Sequence, residues 1–279
     1  MVEQQSSDSR MAAMLTTPSI VASFCLGESM ESTIEVASQF QGPPGSGNGG
    51  YVSGLLAKLV NPLAAAPGVE VTLRAPTPLD VTITAYADNT GAVAKLDELL
   101  IAQALPLAEE LALDIPQPPT FEQALAAQSH SAALDPTIEN VLSDGLGFHP
   151  VCFCCGADVP IGKGLRVFAS PVRGFVGVAA AWQPHPAFAD EQGMLPKEIL
   201  WAALDCPGQF AFLAADIRTG LLGRMTARLV QPVLASDQIV ITGWCIAIEG
   251  KKHFAGTALF NQRGECCAYA KQVWIGRRN

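Results

Sequence analysis

Gly47-Asn48-Gly49-Gly50-Tyr51-Val52-Ser53-Gly54-Leu55-Leu56-Ala57-Lys58-Leu59-Val60 is the stretch on which the reading of this chain turns. Apolar residues at 52, 55, 56, 59 and 60 recur at helical spacing, while Ser53, Gly54 and Ala57 leave a thin face that another backbone can approach closely. Asn48 is placed to act as N-cap, since its side-chain oxygen can accept a first-turn N–H. Gly49 and Gly50 leave the remaining N–H groups uncovered at the positive end of the helix dipole, where an anion or a developing oxyanion is stabilised. A capped core helix behind a glycine turn fits the same residues, and both readings stand on this stretch alone.

Around it lie 279 residues, 49% apolar and 15% charged, enough for one large domain or two smaller ones with a sizeable core. A net charge of −9 with no basic cluster argues against a nucleic-acid partner. No apolar run is long enough to span a bilayer, and Thr16-Thr17-Pro18-Ser19 interrupts the one short N-terminal run, so a cytoplasmic protein without a signal peptide is expected. The eight cysteines are diluted in a large chain, which suits reduced core residues better than a disulfide framework. His149-Pro-Val-Cys152-Phe-Cys154-Cys155-Gly156 offers a Cys-x-x-Cys pair near a histidine. A structural zinc site needs four ligands, and the other cysteine pair, Cys266-Cys267, reads as part of a strand, so no metal is assigned.

Periodicity then divides the chain. Residues 1 to 28 lack a sustained pattern and are expected to be a loosely attached segment. A strand is expected at Ser32–Phe40, followed by the glycine turn and its helix. Alternating strands follow at Gly68–Arg74 and Val81–Tyr86, and two more extended segments run through roughly 91–105. From 106 to 148 prolines 106, 116, 118 and 119 mark a connector, with a short helix around Thr120–Gln128. The order then recurs. Strands are expected at Leu165–Ser170 and Phe175–Trp182, a helix at Lys197–Asp205, and strands at Arg224–Val230, Gln238–Glu249, Lys252–Asn261 and Glu265–Ile275. Thr72-Leu-Arg74-Ala-Pro-Thr-Pro78 matches Thr226-Ala-Arg228-Leu-Val-Gln-Pro232 as Thr-x-Arg-x-x-x-Pro, 154 positions apart. The helices align 148 positions apart, Val52 with Leu200, Leu55 with Ala203 and Leu56 with Leu204, and a loop absorbs the six-residue difference.

A strand, a glycine-opened helix and a run of antiparallel strands, present twice, resembles the double hotdog fold of the acyl-CoA thioesterase superfamily. Cys152-Phe-Cys-Cys155-Gly-Ala-Asp-Val-Pro160-Ile-Gly-Lys-Gly164-Leu-Arg is similar to the opening of thioesterase-like domains, Cys-Phe-x-Cys-Gly followed by a Pro and a Gly-Leu. Ile199-Leu-Trp-Ala-Ala-Leu-Asp205-Cys-Pro-Gly208 is similar to their central helix. The resemblance implies an α+β protein in which two copies of an antiparallel sheet, each wrapped around a central helix, pack as a pseudo-dimer. It sets an N-terminal hotdog at 29–105, the connector at 106–148 and a C-terminal hotdog at 149–279.

In the phenylacetyl-CoA type of hotdog thioesterase, His-Gly-Gly or Asn-Gly-Gly opens the helix and a carboxylate follows nine positions later. One hotdog supplies the glycine N–H groups, and the other supplies the carboxylate. Asn48-Gly49-Gly50 keeps the first feature here, but Ala57 stands where the carboxylate belongs. In the second half Asp205 stands at the carboxylate position, and Pro196-Lys197-Glu198 replaces Asn-Gly-Gly. The resemblance thus implies one composite site, with Asp205, Asn48 and Gly50 catalytic, Gly49, Tyr51 and Ser53 in contact with substrate, and an inert second interface between Pro196 and Ala57. Gly50 N–H would polarise the thioester carbonyl, and Asn48 would orient water or substrate. Asp205 would act as base or nucleophile, unless it serves the turn made by Cys206-Pro207-Gly208.

The expected function is hydrolysis of a fatty or aromatic acyl-CoA or acyl-carrier thioester, with coenzyme A as part of the substrate and no other cofactor. The expected assembly is a monomer or a homodimer of double hotdogs. Two other functions compete. A double hotdog enoyl-CoA hydratase would need an Asp and a His five residues apart with Asn-Pro between them, and no such motif occurs in this sequence. A catalytically silent acyl-CoA or lipid binder would keep the fold and the cleft alone.

Overall fold

Alternating side chains and short turns build five strands and one long helix from the described residues of the first half of the chain. The computed structural model describes residues 30–60, 67–135 and 149–276. The segment 1–28 and the end of the connector lie outside the described residues. Strand β1 (Met30–Glu35) leads through a 3-10 turn to helix α1 (Gly49–Val60), followed by β2 (Val69–Leu73), β3 (Thr82–Asp88), β4 (Gly91–Leu96) and β5 (Leu99–Pro106). The strand expected to run to Phe40 stops at Glu35, because residues 38–40 turn to bring the Phe40 carbonyl onto Asn48 N–H at 2.8 Å. In β3, Ile83, Ala85 and Ala87 are buried on alternate positions, as a strand with one covered face requires.

The second half adds β6 (Ser170–Pro171), β7 (Val178–Trp182), α3 (Lys197–Ala203), α4 (Cys206–Leu213), β8 (Leu221–Leu229), β9 (Ile239–Glu249), β10 (Lys252–Phe260) and β11 (Cys266–Ile275), while the connector carries α2 (Phe121–Ala127). All strands join in one antiparallel sheet of order β1-β3-β4-β5-β2-β8-β11-β10-β9-β7-β6. Leaving out the two-residue β6, each half shows the same order of its own strands: first, third, fourth, fifth, second. The halves meet where β2 pairs with β8, Val69 opposite Ala227 and Thr72 opposite Arg224, and Arg224 donates to Thr72 at 3.0 Å.

Helix α1 is buried from Gly50 to Val60 at every residue but Lys58, because the first-half strands cover one side and α3 the other. The helices approach closely enough that a Cβ on Gly54 would lie 2.5 Å from Glu198 Cα, and one on Gly50 2.5 Å from the Trp201 carbonyl oxygen. Glycine is required at both positions by proximity. Lys58, at the far end of α1, pairs with buried Glu198 at 2.9 Å.

Two sequence expectations change. Of the strand expected at Leu165–Ser170 only Ser170–Pro171 forms, since Leu165 and Val167 donate instead to the carbonyls of Phe153 and Cys154 at 2.7 and 2.9 Å. The helix expected over Lys197–Asp205 ends at Ala203, and a second helix starts at Cys206 with Pro207 in its first turn, where a missing N–H costs nothing. The described part of the connector, residues 106–135, is also packed. Thr120 and Gln123 form a capping box, and α2 covers β7 and β9 through a small second core that includes Ala124, Ala181, Val240 and Trp244. Among the described residues no helix is long and apolar enough to cross a membrane.

Candidate active site

At the start of α1 the sequence dictates a tight arrangement. Asn48 caps the helix through Tyr51 N–H, which donates to Asn48 Oδ1 at 2.9 Å, and Val52 N–H reaches the Asn48 carbonyl at 3.0 Å. Its amide nitrogen is left to donate elsewhere, and it does so across the helix pair, to Asp205 Oδ2 at 2.7 Å. Gly50 N–H donates to the same oxygen at 3.0 Å. The remaining first-turn donor, Gly49 N–H, has no partner among the described residues, and Gly49 lines a cavity of about 450 Å³ together with Asn48, His149, Cys152, Asp205 and Gln209.

Asp205 sits in the turn between α3 and α4. Its side chain makes no cap bond to α4, so the reading in which it serves the turn is set aside. The carboxylate is 4% exposed, and its Oδ1 has no hydrogen-bond partner among the described residues. Burial raises its pKa to about 7, helped by negative charge on Cys152 and opposed by the Gly50 and Asn48 donors. A buried carboxyl poised near neutrality beside an open cavity can exchange a proton with a molecule held there.

Of the residues singled out in the sequence, Asn48, Gly50 and Asp205 are brought together, and Gly49 lies beside them on the cavity wall. Tyr51 and Ser53 are placed elsewhere. Tyr51 stacks on Phe40 with ring centroids 4.0 Å apart and meets the edge of Phe153, and Ser53 is fully buried in α1, so neither lines the cavity. For Tyr51 the helical register accounts for this, since one step along the helix from Gly50 turns the side chain by about 100° into the core; Ser53 shares the face of Gly49 but lies one turn further along, where it is fully buried.

One feature has no counterpart in the sequence reading, and a second, of which the sequence shows only the Cys152 and Cys155 pair, gains a third member. Gln272 is buried on β11, where its Nε2 donates to the carbonyls of Leu204 and Asp205 at 2.6 and 3.0 Å, and Trp274 donates to its Oε1 at 2.8 Å. It ties down the turn that carries Asp205. Gln272→Leu leaves two buried carbonyls without this donor, and a loss of about 2–4 kcal/mol in unfolding free energy is expected from urea titration. The only outward sign was a polar residue at an inward-facing strand position. The second feature is a thiol cluster. Cys152 and Cys206 lie 3.6 Å apart, Cys155 is adjacent, and Asn48 Nδ2 approaches Cys152 Sγ at 3.7 Å. Bonds from Cys155 and Cys206 hold the Cys152 thiol below its usual range, and the same bonds with Cys152, followed by burial and the Cys152 charge, push those two thiols up.

No sequence-family profile matches the chain, and no curated protein matches it by sequence. Solved structures do. A tesB protein of Mycobacterium avium subsp. paratuberculosis superposes with a TM-score of 0.57 at 12% identity, covering 88% of this chain and 92% of its own. A protein of Novosphingobium aromaticivorans, assigned as a thioesterase, gives 0.56 at 13% identity over 88% and 95%. One of Thermobifida fusca, assigned as a thioesterase II, gives 0.53 at 14% identity over 88% and 93%. At such identities the likeness is one of fold.

Proposed function

We propose that this chain, which has the hotdog fold of the acyl-CoA thioesterase superfamily, hydrolyses a fatty or aromatic acyl thioester of coenzyme A or an acyl carrier. In this reading it is a double hotdog: residues 29–105 and 149–279 are the two halves of a pseudo-dimer joined by 106–148, and one composite site lies on their seam. The repeated strand order and the central β2–β8 pairing support the duplication. The observation that carries the functional reading is Asp205 of one half held by Asn48 and Gly50 of the other, 157 and 155 residues away in sequence, on the wall of a cavity.

Asp205 acts as general base. Its Oδ2 is fixed by two donors, and its unpartnered Oδ1 is the oxygen that takes a proton from water. The water oxygen bonds to the acyl carbon, the tetrahedral intermediate collapses with loss of the C–S bond, and the proton passes from Asp205 to the departing thiolate. Gly50 N–H is occupied in orienting the base. Gly49 N–H, on the cavity wall and unpartnered among the described residues, is therefore the better placed donor for the developing oxyanion. Gly49 thus takes the oxyanion role expected of Gly50, and Gly50 orients the base instead.

The other seam supports a single site. There the position equivalent to Gly50 is Glu198, buried and ion-paired with Lys58, and Ala57 offers no carboxylate. The test is free-thiol release from a panel of acyl-CoA thioesters running from short to long aliphatic chains and including phenylacetyl- and benzoyl-CoA. Release from at least one class is expected; none from any member would leave the silent acyl-CoA binder as the reading. Asn48→Ala should lower kcat about 100-fold, because the base loses one of its two anchors and a displacement on the order of 1 Å suffices for that. The lost cap should cost about 1 kcal/mol of stability.

A further inference from the structure

We propose that Cys152, Cys155 and Cys206 bind a zinc ion through their thiolates, beside the water-activating carboxylate on the wall of the same cavity. The three Sγ atoms are buried and lie within 4.8 Å of one another, with Cys152 and Cys206 already 3.6 Å apart. A tetrahedral ion with Zn–S bonds of about 2.3 Å holds its sulfur ligands roughly 3.8 Å apart, so small side-chain shifts close the cluster on a metal. Soft thiolates in a tetrahedral set select zinc among the divalent ions a cell supplies.

The local backbone is built for this. Cys152 and Cys155 sit in a Cys-x-x-Cys turn closed by Gly156 N–H on the Cys152 carbonyl at 2.7 Å, and a Cβ at Gly156 would come within 2.5 Å of the carbonyl oxygens of Cys152 and Pro150. The Asn48 amide approaches Cys152 Sγ at 3.7 Å. Donors directed at a ligating sulfur are the outer-shell support that metal thiolates use. The third thiol comes from 54 residues away, at the first position of α4. Three protein ligands leave the fourth tetrahedral position to water from the cavity that Cys152 and Cys206 also line.

An ion here would pin the loop that opens the second half to the residue following Asp205. It would hold the base in place. Cys154, although buried beside Cys206, falls outside the mutual set of three and is not a ligand.

The test reads metal, independently of turnover. The purified full-length protein is reduced, incubated with excess zinc, desalted and assayed by elemental analysis, then reconstituted with cobalt(II) for its optical spectrum. One zinc per chain and the strong sulfur-to-cobalt charge-transfer bands of a tetrahedral thiolate site are expected. Cys155→Ser and Cys206→Ser should each weaken binding by about 100-fold or more, since even outer-shell losses cost 10–100-fold. Cys154→Ser and Cys267→Ser should retain it. Wild-type protein that keeps less than about a tenth of an equivalent, shows no charge-transfer band, or carries a Cys152–Cys206 disulfide in place of metal would overturn the proposal, as would Cys206→Ser binding like wild type. Should the serine variants fail to fold, the wild-type metal content and cobalt spectrum decide alone.

Discussion

Asp205→Asn is expected to lower kcat for thioester hydrolysis about 1,000-fold while leaving the fold intact. The substitution is nearly isosteric. An asparagine carbonyl oxygen can accept from both Gly50 N–H and Asn48 Nδ2, as Asp205 Oδ2 does at 3.0 and 2.7 Å. The amide nitrogen would then occupy the place of Oδ1, the atom with no partner among the described residues, and cannot accept a proton from water. A buried carboxylate is costly to keep, so replacing it with a neutral group should leave the thermal midpoint unchanged or raise it. The pattern that matters is lost turnover with retained stability, because a merely structural Asp205 would give the reverse. The measurements are steady-state thiol release and a thermal melt on the same preparation. Equal rates in the two proteins would remove Asp205 from the mechanism.

Gly54→Ala tests the scaffold instead. A methyl group there would lie 2.5 Å from Glu198 Cα, 2.9 Å from Trp201 Cβ and 3.0 Å from Glu198 Cβ. All three atoms belong to α3, one to its backbone and two at Cβ, so no side-chain rotation relieves the clash and the helices must separate. In an exposed helix the same change would gain about 1 kcal/mol from propensity. Here overpacking outweighs that gain, and a net loss of about 2–3 kcal/mol in unfolding free energy is expected. Because Asp205 meets Gly50 across the same helix pair, separation also lengthens the bond that orients the carboxylate, and kcat should fall along with stability. A neutral Gly54→Ala in chemical denaturation would show that the contact between α1 and α3 is looser than described.

Local signals made much of this legible in the sequence. The N-cap at Asn48 and the span of α1 followed from helical spacing and two glycines, and strands β8 to β11 followed from alternation and turn residues within a few positions of their observed ends. Local patterns could not show where Pro207 falls. Read as a helix breaker, it belongs to the first turn of α4, which is fixed by how the turn at Asp205 packs and not by the proline. Segment 165–169 has strand composition, yet its N–H groups serve the loop at 153–154, a long-range choice. The resemblance puts Tyr51 in contact with substrate, and helical rotation turns it into the core instead, where it stacks on Phe40. Cys206 could not be assigned to the Cys152 and Cys155 pair, because only the path of the chain between them brings the three sulfurs together.

One cavity formed by both halves makes a prediction about number. A non-hydrolysable thioether analogue of whichever acyl-CoA is turned over, titrated calorimetrically into the full chain, should bind with a stoichiometry of one per chain, and Asn48→Ala in one half and Asp205→Asn in the other should each alter that single event. Two equivalents per chain, or a binding event indifferent to both substitutions, would contradict a composite site on the seam between α1 and the turn at Asp205.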